Sequence, residues 1–184
     1  MPPEGAKYIL KALKLADRVI ARIEGWMIVL FLSLMVIFTF FQVCLRGLYT
    51  HGHLHWANTL MGHLDWSEPF VRLLVLWLTF LGASLLTGEN KHIKIDLFAT
   101  ILSPRWLLVR EFIISVACVF ISSVMVKVSI DYINIEIEFG GRIFLGLPGW
   151  LGQMIIPAGF ALIMFRFIVR AIDQALQIAW GVEK

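Results

Sequence analysis

The chain has 184 residues, of which 59% are hydrophobic and only 16% are charged, and its mean hydropathy is +0.82. Soluble globular proteins lie outside this range, because roughly half of their residues are apolar and about a quarter are charged. The formal net charge of +3 does not indicate nucleic-acid binding, since the basic residues flank apolar segments, where loop charge sets membrane orientation. The composition therefore predicts an integral membrane protein, with room for four spans and short connections.

Residues 4 to 24 carry five basic residues at spacings of three and four, and apolar residues follow a similar period on another face. This pattern predicts an amphipathic helix along the cytoplasmic membrane surface, a unit over residues 1 to 24 that precedes the membrane domain over residues 25 to 184. The charged region is too long for a cleavable signal peptide, so we expect it to stay attached. The basic residues are Lys7, Lys11, Lys14, Arg18 and Arg22.

The first span is predicted over residues 25 to 45, which are free of charge and, at about 31 Å, long enough to cross the hydrocarbon core. Residues 47 to 64 follow as an outward loop. His51, His53 and His55 alternate there, which on an extended segment would place them on one face and is compatible with a metal site. Their spacing matches no standard zinc pattern, so a solvated loop is favoured.

The second span is predicted over residues 69 to 88. Ser67 can cap its N-terminus, and Glu68 suits the positive end of the helix dipole. Arg72 follows Glu68 at i,i+4, where an exposed pair contributes roughly 0.2–0.5 kcal/mol; contact with a partner protein is the alternative. Gly82, with two small neighbours, offers a surface for close helix packing.

A charged connection follows the second span. His92 and Asp96 stand there at i,i+4 and can pair across a turn. A proton relay is less favoured, because both residues lie outside the apolar spans.

The third span is predicted over residues 111 to 130, and residues 131 to 142 fit both an alternating strand and a continued helix. The fourth span is predicted over residues 149 to 166, after Pro148. We expect Pro157 to kink it, since proline has no backbone N–H to donate inside a helix.

The distribution of charge sets the orientation. Twelve of the sixteen Lys and Arg residues lie in the N-terminal segment, in residues 89 to 111 or in the C-terminal tail. The positive-inside rule therefore places both termini in the cytoplasm.

Motifs spread over nearly the whole chain resemble those of the DctQ-like family, the small membrane subunits of tripartite ATP-independent periplasmic (TRAP) transporters. The order and spacing of these weak motifs, together with four spans, make the resemblance fairly specific. The chain departs from the family at Pro69, where a second Glu often stands, and in its longer, His-rich first loop. The motifs are Gln42-Val43 with Arg46, Trp66-Ser67-Glu68 with Arg72, Trp77, Phe80-Leu81-Gly82-Ala83, His92-Ile93 with Asp96, Leu145-Gly146-Leu147-Pro148, and Ile156-Pro157 with Gly159.

The resemblance implies a subunit without catalysis in the bacterial inner membrane. In such transporters a large DctM-like permease subunit carries the substrate and sodium ions, and an extracytoplasmic DctP-like solute-binding protein delivers an organic acid. The small subunit holds no cofactor or metal, braces the large subunit within the membrane lipid, and helps the binding protein dock. Its candidate interface or structural residues are Trp66, Glu68, Arg72, Gly82, His92, Asp96, Pro148 and Pro157.

The residues leave an alternative open, a self-contained small transporter that works as a homo-oligomer. Such a protein should carry an ionisable residue in mid-span, and Lys127 is the candidate if the third span shifts. An enzyme is not expected. A thiol oxidase needs cysteine pairs in outward loops, whereas Cys44 and Cys118 lie in apolar segments. A membrane cytochrome needs axial histidines within helices, whereas all five histidines fall in predicted loops.

Overall fold

The computed structural model describes residues 4–52, 55–88, 104–143 and 146–180, and these residues are almost entirely helical. Within them, four helical segments are long and apolar enough to cross a membrane: Leu10–His51, Thr59–Gly88, Trp106–Phe139 and Gly149–Ala179. The predicted all-α fold with four membrane-spanning helices is therefore confirmed. The helices are α1 (Glu4–Gly52), α2 (His55–Leu64), α3 (Ser67–Gly88), α4 (Pro104–Phe139), α5 (Gly149–Gln153) and α6 (Ile155–Trp180).

The structure does not support a separate surface helix over residues 4 to 24. Helix α1 runs without a break for 49 residues, so the basic segment continues directly into the first span. No proline interrupts residues 4 to 52. Two acidic side chains of the segment, Asp17 and Glu24, reach Arg166 of α6, so one face of the segment packs on protein instead of lying along the membrane surface.

The histidine-rich region from residue 47 to 64 is largely helical, so the prediction of a loop there is wrong. Helix α1 extends to Gly52, and α2 begins at His55. The region contains no proline, and a helix tolerates each of its glycines at a cost of about 1 kcal/mol. The described residues hold no group of three His, Cys, Asp or Glu side chains that could bind a metal ion, and His53 lies outside them.

The long helices pack in an order that differs from their order in the chain. Helix α1 packs on α3, α3 on α6, and α6 on α4, with a smaller contact between α1 and α6. Helix α4 makes at most isolated contacts with α1 and α3. Helices α1 and α4 therefore stand at the two edges of an open row, and each exposes large apolar side chains, such as Phe40 on α1 and Phe120 on α4.

Pro157 accounts for the interruption that the sequence predicts near the start of the fourth span. Its nitrogen cannot donate a hydrogen bond to the carbonyl of Gln153, where α5 ends, and α6 begins two residues later. Beside this break, Trp77 Nε1 of α3 donates to the Gly152 carbonyl at 2.8 Å. Helix α3 is therefore hydrogen-bonded to the fourth span at this interruption.

Helix α4 continues through residues 131 to 139, so the helical option is the one found for most of this segment. Gly140 adopts a left-handed conformation (φ 61°), which suits glycine at a helix end. The chain then turns back, and the Gly149 N–H donates to the Gly141 carbonyl at 2.7 Å. Pro148, paired with Arg142 in an isolated antiparallel bridge, directly precedes α5.

Candidate functional site

A group of charged and polar residues lies between the helices toward the N-terminal end of α1. Arg166 of α6 stands at its centre with only 4% of its surface exposed. Asp17 and Glu24 approach it from α1, and Ser84 and Gly88 approach it from α3. We call these five residues the Arg166 cluster.

The guanidinium of Arg166, which belongs to α6, contacts both α1 and α3. Its Nη2 lies 2.5 Å from Glu24 Oε2, and its Nη1 donates to the Ser84 carbonyl. Its Nε lies 3.1 Å from Asp17 Oδ1, which is within ion-pair distance but outside hydrogen-bond alignment. The Ser84 hydroxyl donates to Glu24 Oε1 at 2.8 Å, so both oxygens of that buried carboxylate have partners.

Gly88 makes room for this arrangement. A Cβ at this position would overlap the guanidinium of Arg166. The last turn of α3 therefore approaches Arg166 more closely than a residue with a side chain would allow.

Further polar contacts continue along α6 from the cluster. Arg170 Nη2 donates to the Thr87 carbonyl of α3 at 2.9 Å. Lys14 Nζ of α1 forms an ion pair with Asp173 Oδ1 at 2.9 Å. Helix α6 thus holds α1 and α3 through several successive turns.

Helix α4 meets α6 through buried serines spaced seven residues apart, at positions 115, 122 and 129. A spacing of seven keeps small side chains on one side of a helix, where they allow close packing. The Ser115 hydroxyl donates to Gln174 Oε1 at 2.8 Å. This contact joins α4 to the C-terminal half of α6, beyond the Arg166 cluster.

The chemistry of the Arg166 cluster is structural. Burying a charge is costly unless a partner of opposite sign and good hydrogen bonds compensate for the lost water. Glu24 and Arg166 satisfy this requirement mutually across two helices. The cluster therefore fixes the positions of α1, α3 and α6. Because the Glu24 carboxylate and the Arg166 guanidinium bind each other, neither is available to bind a substrate.

An open cavity of about 190 Å³ lies near the α5 end of the bundle. Apolar side chains line it, among them Leu73, Trp77 and Leu151, and no charged residue does. An organic acid needs a cationic or hydrogen-bonding partner for its carboxylate. This cavity does not offer one.

The structure does not bring the predicted site residues together. Trp66 packs edge-on against Phe38 of α1, with ring centroids 5.7 Å apart. Nearby, Arg72 Nη2 lies 2.5 Å from Glu68 Oε1, and both side chains are exposed. Gly82 lies farther along α3 in open space, with no atom within 4 Å of a Cβ built there.

The remaining predicted residues lie elsewhere. Pro148 precedes α5, and Pro157 follows its end. His92 and Asp96 fall outside the described residues. The predicted residues thus form no single site within the part of the chain that the structure describes.

Glu24 and Arg166, the two buried charges among the residues that the structure describes, were not singled out from the sequence. In the sequence analysis, Glu24 falls in the surface helix and Arg166 at the end of the fourth span. A usable signal was present, since Asp17 and Glu24 are seven residues apart and thus share a helix face. On α6, which is largely apolar, Arg166, Arg170 and Gln174 recur every fourth residue, a pattern typical of an inward polar stripe.

Comparisons with known proteins point to one family. The family model described as "Tripartite ATP-independent periplasmic transporters, DctQ component" matches residues 35–177. The C4-dicarboxylate TRAP transporter small permease protein DctQ of Pseudomonas aeruginosa is 27% identical over 170 residues, covering 82% of this chain and 81% of that protein. No solved structure matches the chain.

The family match extends from the middle of α1 almost to the end of α6 and so includes most of the chain. It agrees with the four spanning helices, and it places the chain among transporter components, not enzymes. Such a component is a multi-pass protein of the inner membrane and works with the other components of a tripartite system. The chain belongs to the DctQ family of TRAP transporter small permease subunits.

Proposed function

We propose that this chain braces the large, DctM-like subunit of a sodium-driven transporter for organic acids and helps a DctP-like solute-binding protein to dock. The name of the Pseudomonas aeruginosa relative, which specifies C4-dicarboxylates, supports organic acids as the substrate class. Sodium ions bind in the large subunit under this proposal, and this chain carries none. Both termini face the cytoplasm, as the distribution of Lys and Arg indicates.

The Arg166 cluster is the observation that carries the bracing role. A subunit that supports a moving transport domain has to keep its own shape. The buried Arg166 joins α1, α3 and α6 through an ion pair to Glu24 and a hydrogen bond to Ser84. These contacts oppose sliding of the three helices past one another, because any shift would separate buried opposite charges.

The open row of helices supports the same role. Helices α1 and α4 expose bulky apolar side chains along their lengths, including Trp26, Val36, Phe120 and Ile121. Broad apolar surfaces of this kind suit contact with lipid and with another membrane protein. The chain therefore combines helices that are linked by buried polar contacts with broad apolar outer surfaces, as expected for one part of a larger membrane complex.

We place the docking of the binding protein at the end of the helix bundle where α3 begins, opposite the Arg166 cluster. With cytoplasmic termini, this end of α3 faces outward, and it presents the exposed ion pair Glu68–Arg72. Exposed charges at a rim favour orientation and association rate more than affinity. The pair therefore suits a contact that forms and breaks during transport.

Co-purification tests the proposed subunit role. The tagged chain is co-expressed with the genes flanking its own, purified in mild detergent and examined by native mass spectrometry. We expect a one-to-one complex with a large multispan protein. A stable homo-oligomer without that partner would contradict the proposal and direct attention to Lys127, which is exposed on α4.

A further inference from the structure

Four basic residues form a stripe along the first turns of α1: Lys11, Lys14, Arg18 and Arg22. Steps of three and four residues place them on one side of the helix, with about one turn, or 5.4 Å, between neighbours. All four residues are exposed. We call this set the basic stripe.

The acidic residues nearby leave most of the stripe uncompensated. Asp17 and Glu24 turn away from it toward Arg166. Lys14 pairs with Asp173 but keeps half of its side chain exposed. The other three members form no ion pair with any residue that the structure describes.

A groove lies among the side chains of the stripe. All of its lining residues belong to α1, so it is a shallow, open depression between the side chains of one helix. Three cations and two apolar side chains line it: Leu10, Lys11, Lys14, Leu15 and Arg18. The groove therefore offers charge and apolar surface within one small space.

An exposed apolar track leads from this groove into the membrane span. Leu15, Val19 and Ile23 are each more than half exposed, and Trp26 continues the track at the start of the uncharged segment. Because α1 is one unbroken helix, the track is continuous with the exposed apolar surface along the span. A molecule that fills the groove and follows the track needs an anionic head and an apolar tail.

From this arrangement we propose that the groove in the basic stripe binds an anionic phospholipid. The phosphate lies among Lys11, Lys14 and Arg18, and the acyl chains run along Leu15, Val19 and Ile23 toward the span. Lys and Arg bind phosphate oxygens through charge-assisted hydrogen bonds, and basic clusters on membrane-associated helices recognise anionic headgroups. An acidic protein segment would satisfy the cations but leave the apolar track uncovered. This inference goes beyond the bracing role and does not depend on it.

Native mass spectrometry of the full chain, together with whatever co-purifies with it, tests the lipid site. Equal amounts of phosphatidylglycerol and phosphatidylcholine are added, and the retained lipids are counted. We expect preferential retention of phosphatidylglycerol, and a fall in its affinity of about 30-fold in the double variant Lys11→Gln/Arg18→Gln, since each basic residue contributes to attraction of an anionic lipid. An excess of inorganic phosphate should not displace the lipid.

The matched control is the double variant Arg46→Gln/Arg142→Gln, which removes two exposed cations outside the basic stripe. It should retain phosphatidylglycerol as the unmodified chain does. Equal losses in both variants, equal retention of the two lipids, or displacement by inorganic phosphate would overturn the proposal. Loss of a protein partner in Lys11→Gln/Arg18→Gln with unchanged lipid retention would overturn it too, in favour of a protein contact.

The same spectra separate this inference from the proposed subunit role. A one-to-one complex that persists while the lipid is lost leaves the subunit role intact and confirms the lipid site. Because Lys11 and Arg18 are exposed, the unfolding temperature of the double variant should match that of the unmodified chain. Altered lipid retention then reflects binding and not misfolding.

Discussion

Replacement of Arg166 by alanine is expected to destabilise the chain by about 3–5 kcal/mol. The substitution leaves the carboxylates of Glu24 and Asp17 without their cation, and Glu24 is only 3% exposed. It also removes the donor to the Ser84 carbonyl. Thermal unfolding of the purified protein in detergent should show a correspondingly large fall in midpoint temperature.

Two control variants make this prediction specific to the buried pair. Arg72→Ala breaks the Glu68–Arg72 ion pair, which also joins a Glu to an Arg but lies on exposed side chains. This variant should change the free energy of unfolding by less than about 0.5 kcal/mol. The double variant Glu24→Gln/Arg166→Met removes both buried charges and should recover part of the loss. An Arg166→Ala variant as stable as Arg72→Ala would show that the cluster does not hold the helices together.

Replacement of Gly159 by alanine is expected to destabilise the contact between α3 and α6 by about 1–3 kcal/mol. The new Cβ would stand 2.6 Å from Phe80 Cδ1 and 2.8 Å from Phe80 Cβ. The ring of Phe80 packs edge-on against Phe160, with centroids 5.3 Å apart, so it cannot move aside freely. The two helices must separate or the ring must leave its rotamer, and both responses lower the unfolding temperature.

Gly82→Ala is the matched control for this prediction. It makes the same chemical change on α3, where no atom lies within 4 Å of the added Cβ. Alanine is favoured over glycine within a helix, so this variant should be neutral or more stable by up to about 1 kcal/mol. Equal effects of the two substitutions would contradict the close packing assigned to Gly159.

The membrane-spanning helices could be predicted from the sequence because the pattern that marks them is local. Long charge-free runs such as residues 25 to 45 have few structural solutions in a membrane protein, and they predict spanning helices directly. The effect of Pro157 is also local, because its missing N–H interrupts whichever helix contains it. These features required no knowledge of neighbouring elements.

The role of the N-terminal segment and of Arg166 could not be predicted, because it depends on what each helix packs against. The amphipathic pattern of residues 4 to 24 is the same whether the inner face meets lipid or protein, and only the position of Arg166 decides between them. Likewise, Arg166 alone looks like an interfacial anchor, because its partner Glu24 is 142 residues away in the chain. The buried cluster is a tertiary feature, and periodicity within one helix gives it only a weak signal.

Uptake into proteoliposomes tests whether this chain is an accessory subunit of a TRAP transporter. Vesicles are prepared with the large permease subunit encoded beside this chain, with this chain, or with both, and the binding protein supplies a labelled organic acid outside. We expect sodium-dependent uptake only when both membrane subunits and the binding protein are present. Uptake by this chain alone, or equal uptake by the large subunit without it, would contradict the accessory role.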